Sequence, residues 1–274
     1  MAVLLSLLAS LGYGTSDFLA GTAGRRGQAA AVALLAQPLG LAAALLGLVI
    51  FRWAEPTFAT LGWGAVSGVG SGLGTLSLYR GLARGRMAVV APLSAVLTAA
   101  IPAVAGLAMG NRPGGLALVG IVLALPAVAL VSRASGGSEG SGGVVEGLLA
   151  GACFALLFIG LDRAGTHSGT WPLVTGQSVS VALIALNWLR GQRPPGGWGR
   201  IAPLALAAGA LSGSSNILFL EATGHGPLAV VAVLASLYPA TTVLLARVVL
   251  RERWTRLQGV GLAVAVAAVV MISA

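Results

Sequence analysis

The stretches "GRMAVVAPL" at residues 85–93 and "GPLAVVAVL" at residues 226–234 stand 141 residues apart and are nearly the same text. The same offset aligns Thr75–Ser132 with Asn216–Ser273 without a gap, and sets "NRPGGLALVG" (111–120) on "ERWTRLQGVG" (252–261). Earlier parts agree more weakly, with Tyr13 falling on Phe154 and Gln37 one step from Gln177. The chain reads as two related halves: residues 1–134, a Gly/Ser linker at 135–142, and residues 143–274.

The surroundings of the repeat identify its solvent. Of 274 residues, 57% are hydrophobic and 8% charged, against roughly 25% charged in a soluble domain. Spanning a bilayer takes about 20 mostly apolar residues as a helix, because the hydrocarbon offers the backbone no hydrogen-bond partner. Ten segments qualify, near 2–20, 29–51, 60–82, 87–109, 114–132, 143–163, 170–189, 201–223, 227–250 and 255–273. The first lacks a basic start and a clean cleavage site, so it reads as a span rather than a signal peptide. The expected fold class is therefore all-α integral membrane, with ten transmembrane helices.

Five crossings are an odd number, so the second repeat must enter the membrane inverted. Cytoplasmic loops retain basic residues, and inverted copies should then hold theirs in non-equivalent loops. Arg80, Arg84 and Arg86 align with Glu221, His225 and Pro227, whereas Arg251 and Arg256 align with Gly110 and Gly115. All 16 basic residues are Arg; odd-numbered loops hold eleven and even-numbered loops three. The odd loops are expected to face the cytoplasm, in a multi-pass protein of the cell (plasma or inner) membrane. Arginines distributed in this way orient a membrane protein, and no nucleic-acid partner is expected despite the net charge of +9.

Inverted repeats are the construction of many secondary transporters, with the solute site near mid-membrane between the halves. The chain resembles the drug/metabolite transporter superfamily, EamA type. The residues carrying the resemblance are "LGYGTSDF" (11–18), "LYRGLARG" (78–85), "SLYPATTVLLARVVLRER" (236–253) and "QGVGLAVAVAAVVMIS" (258–273). It implies ten spans in two five-span repeats, export of amino acids, other metabolites or drugs, and a cavity lined by the first, third, fourth, sixth, eighth and ninth spans. It also implies cytoplasmic termini, which the arginine count reverses. The first repeat has Asn111 where the second has Glu252.

Polar residues inside apolar spans are the candidates for solute contact. They are Tyr13, Asp17, Gln37, Tyr79, Gln177, Ser212, Ser215, Asn216 and Tyr238, with Asp17, Arg80 and Glu221 as candidates for gating or proton coupling. Asp17 either binds a proton or cationic group at the cavity mouth or pairs with Arg25 or Arg26 to fix the loop. Gly64, Gly68 and Gly72, four apart, mark a close helix contact, with Gly209 and Gly213 in register in the eighth span. Pro38, Pro92, Pro102 and Pro239 are expected inside spans. His167 and His225 lack neighbours at ligand spacing, so no metal and no cofactor are expected. No nucleophile or phosphate-loop motif is present, and the chain does not read as an enzyme. A lipid-modifying enzyme would need Asp17, Asp162 and His167 in one pocket; a scaffold would have a filled interior. The partners expected are the lipid bilayer and a small solute, the protein being a monomer or homodimer.

Overall fold

The computed structural model describes residues 1–51, 55–108, 114–133, 143–164, 169–191, 198–225, 234–235, 237–252 and 256–273. Ten long helices occur among them: α1 (Ala2–Arg26), α2 (Ala29–Phe51), α3 (Phe58–Arg84), α4 (Met87–Ala108), α5 (Gly115–Arg133), α6 (Val144–Ala164), α7 (Trp171–Arg190), α8 (Trp198–His225), α9 (Tyr238–Val249) and α10 (Arg256–Ser273). By length and composition, stretches in five of them (α1, α2, α6, α7 and α8) are long and apolar enough to cross a membrane. The 27 residues of α3 are long enough, but Gly and Ser dilute its apolar character. Residues 227–233 and 236 of the ninth expected span, and His167, lie outside the described residues.

Size, more than polarity, separates inside from outside. The buried positions are dominated by Ala, Gly and Ser, while Val49 (75% exposed), Leu189 (71%) and Val122 (69%) point outward. In a bilayer the lipid is as apolar as leucine, so association rests on close packing of small residues and on hydrogen bonds between helices.

The packing pairs recur at a shift of five helices. Helix α3 packs on α6 as α1 packs on α8; α3 packs on α7 as α2 packs on α8; and α4 packs on α6 as α1 packs on α9. Glycines create these contacts. On one flank of α3, Gly64, Gly68 and Gly72 lie against Pro172, Gly176 and Ser180 of α7; on the other, Gly70 and Gly74 lie against Cys153 and Phe154 of α6. A methyl group at Gly68 would collide with the Gly176 carbonyl. In α8, Gly209 and Gly213 meet Ala36 and Leu39 of α2 in the corresponding way.

Two sequence expectations need correction. Helix α1 continues through "GTAGRR" to Arg26, so Asp17 lies nine residues, about 14 Å at ~1.5 Å per residue, from that end, deeper than an end near residue 20 implies. Pro239 is in the first turn of α9, where its missing N–H has no helical partner to lose; Pro38, Pro92 and Pro102 are inside helices as expected.

Candidate functional site

Helix α1 brings its polar residues to a seam with α8 and α9. Tyr13 donates its hydroxyl to Asn216 Oδ1 of α8 at 2.6 Å, and its ring meets Tyr238 of α9 edge-on, centroids 6.5 Å apart. One turn further, Ser16 Oγ donates to the Ala208 carbonyl at 2.8 Å, with Tyr79 of α3 beside it. Thr242 Oγ1 of α9 donates to the Gly14 carbonyl at 3.0 Å, and Gly14 lies against the Tyr238 carbonyl and the Thr241 side chain. Three helices, α3, α8 and α9, therefore converge on one stretch of α1, held by hydrogen bonds worth about 1 kcal/mol each.

Asp17 sits in this convergence. Its side chain is half-buried. It is within electrostatic range of the Tyr79 and Tyr238 hydroxyls. Among the described residues it has no ion pair: Arg25 turns instead to Glu252, at 2.7 Å. Tyr13 and Tyr238 are half-buried like Asp17, whereas Tyr79 is buried.

The remaining candidates divide. Gln37 Nε2 donates to Ser180 Oγ at 2.7 Å, joining α2 to α7. Gln177 Oε1 and Thr170 Oγ1 are buried with no hydrogen-bond partner among the described residues. Both border a cavity of about 20 Å³, whose lining also includes Gly40 and Asn216; that is room for about one water-sized group. Ser215 is packed against Gly12 of α1, a packing role, and Ser212 is half-buried in α8. Arg80 and Glu221 are not paired with each other: Arg80 donates to Asn187 Oδ1 at 3.3 Å, and Glu221 faces His225 one turn away at 3.6 Å. His167 and the Asp162 side chain are not described, so their approach to Asp17 lies outside the described residues.

Sequence reading missed a clasp at the arginine-rich end. Besides Glu252, Arg25 donates to the carbonyls of Gly85 at 3.1 Å and Leu82 at 3.4 Å. Glu252 in turn accepts from the Met87 and Ala88 amides at the start of α4, both at 3.4 Å. It is presented by Arg251, whose φ of 54° is left-handed, a conformation uncommon for any residue but glycine. The clasp ties α1, α3, α4 and the end of α9 together, where Gly21 and Gly24 of α1 already lie against Leu82 and Ala83 of α3. Among the described residues α6 and α8, five positions further along the helix order, do not pack side by side as α1 and α3 do. A signal was present in the sequence: Glu252 is one of only seven carboxylates, and its counterpart Asn111 lacks the charge.

Comparison with known proteins fits this architecture. A solved structure described as "Crystal structure of protein" superposes with a TM-score of 0.59 at 17% identity, covering 98% of this chain and 95% of that one, and so has a similar fold. No curated protein matches the chain. The family model described as "EamA-like transporter family" matches residues 141–274. On that match, the second half of this multi-helix membrane chain is an EamA-like transporter unit of the drug/metabolite transporter superfamily.

Proposed function

We propose that the protein moves a small organic solute across the plasma membrane by alternating access, with the solute held at the seam of α1, α8 and α9. The observation that carries the reading is Asp17: a half-buried carboxylate in the middle of an apolar helix, beside Tyr13, Tyr79 and Tyr238 and without a cationic partner among the described residues. Intramembrane carboxylates are expensive and face bundle interiors or water-filled paths. Asp17 would take a proton or the ammonium of a zwitterionic solute, while Tyr13, Asn216 and Tyr238 offer a hydroxyl, an amide and two ring faces. Scarce buried charge suits neutral, zwitterionic or aromatic solutes.

In this reading residues 1–134 and 143–274 are inverted five-helix repeats, a proposal supported by the 141-residue sequence offset and by the recurrence of packing pairs at a shift of five helices. The clasped arginine-rich end is the closed side, cytoplasmic by the arginine bias. Opening it would require Arg25 and Glu252 to part and α6 and α8 to approach. Purified protein in liposomes tests the proposal. Saturable, time-dependent uptake of amino acids or aromatic metabolites, lost in Asp17→Asn, is the expected result. Uptake equal to that of empty liposomes across such a panel would overturn it.

A further inference from the structure

We propose that the open cavity between the end of α1 and the start of α8 binds the phosphate headgroup of an anionic glycerophospholipid. The cavity measures about 770 Å³ and is lined by Arg25, Arg26, Gly199, Arg200, Pro203 and Leu204. Three guanidinium groups border it, and its described lining includes no acid. Arg25 is partly committed to Glu252. Arg26 and Arg200 are exposed, and among the described residues neither meets a carboxylate. Like charges around one concavity repel, and an anion seated between them removes the repulsion.

Phosphate is the anion that the donors fit. Guanidinium groups bind phosphate oxygens through paired N–H donors. Gly199 leaves the floor bare, with nothing within 4 Å of where a Cβ would stand. The depth in the membrane indicates which phosphate. The cavity opens where two spanning helices end, beside Trp198, which stacks edge-on against Trp188 with centroids 5.3 Å apart. Such aromatics mark the headgroup level, and the apolar wall of Pro203 and Leu204 continues from the arginines along α8 toward the hydrocarbon. A lipid presents a phosphate and an acyl chain in that order, whereas a soluble phosphate ion uses only the arginines.

Arg25 gives the site a consequence. The guanidinium that borders the cavity is also the one that grips Glu252 and the α3 carbonyls, so a headgroup drawing on Arg25 competes with the clasp. Occupancy of the cavity and closure of that end are thereby linked.

The test uses the delipidated full-length protein in detergent, with binding of phosphatidylglycerol and of chain-matched phosphatidylcholine followed by native mass spectrometry. The parent protein should bind phosphatidylglycerol preferentially. Arg26→Gln combined with Arg200→Gln should weaken that binding by roughly tenfold and leave phosphatidylcholine unchanged. Gly199→Leu, which keeps every charge and fills the floor, should weaken it too and covers the case in which the double variant folds poorly. Equal binding of the two lipids, or variants that match the parent, would overturn the proposal. So would displacement of phosphatidylglycerol by inorganic phosphate at millimolar concentration, which would assign the arginines to a soluble anion. The readout is binding, so it stands or falls independently of transport.

Discussion

The seam of α1 with α8 and α9 and the seam of α6 with α3 and α4 use the same pattern of helix contacts for opposite chemistry. At the 141-residue offset, Tyr13, Ser16 and Asp17 of α1 correspond to Phe154, Leu157 and Phe158 of α6, and Tyr238 and Thr242 correspond to Leu97 and Ile101. The Tyr13–Asn216 hydrogen bond falls where the other seam has Phe154 and Thr75; there the Phe154 ring fills the space beside Gly74. One seam presents tyrosines, a carboxylate and an amide, and the other presents mainly apolar side chains. Repeated helix pairings thus do not require repeated chemistry: the pairings are shared, and the tyrosine pair, the carboxylate and the amide are on one side, while the other seam has small hydroxyls such as Thr98, which donates to the Gly151 carbonyl.

The sharpest way to break this contrast is to exchange the decisive residue. Asp17→Asn should reduce liposome uptake by more than tenfold, whereas Phe158→Leu should stay within about twofold; equal losses would erase the distinction between the seams. Next in size is the scaffold that both seams depend on. Gly68→Leu should destabilise the protein by about 2 kcal/mol or more, since backbone stands in the way on α7, lowering the thermal midpoint in detergent. Gly62, with nothing within 4 Å of a Cβ, should accept Ala within about 0.5 kcal/mol. A smaller effect is expected from Asn216→Thr, which imports the residue of the other seam. Loss of one hydrogen bond worth about 1 kcal/mol should weaken apparent solute affinity about fivefold, and an unchanged affinity would remove Asn216 from the site. The smallest effect concerns the clasp, a half-exposed ion pair of the kind that contributes little alone. Glu252→Gln should raise hydrogen exchange at the Met87 and Ala88 amides about two- to fivefold, with no change at the α8 end.

Much of the fold was legible because hydrocarbon leaves the backbone few choices: apolar runs of the right length had to become helices, and glycines four apart had to become contacts. Tyr13, Asp17, Asn216 and Tyr238 stood out in the sequence for the same reason, each being a polar group where apolar ones are cheaper, although that they meet was not legible. What stayed hidden depends on partners distant in the chain. Arg25 and Glu252 are 227 residues apart: the sequence offered Arg25 only Asp17 as a partner and marked Glu252 only as an acid without a repeat counterpart, until folding placed them together. Ser16 and Thr242 passed as small helix residues, although their hydroxyls cap carbonyls of neighbouring helices. Ser215, a candidate by its hydroxyl, is buried against Gly12 of α1, a neighbour 203 positions away that the sequence did not indicate.

Helix α3 has a mechanical consequence. With bare glycine backbone on both flanks, against α7 on one side and α6 on the other, it can tilt or slide without making interlocked side chains exchange rotamers. In the proposed alternating-access cycle α3 would be the bearing surface, and the hydroxyls its flanks still carry are spent on packing: Ser67 lies against Gly160 of α6 and Gly176 of α7, and Ser71 beside Gln37 of α2.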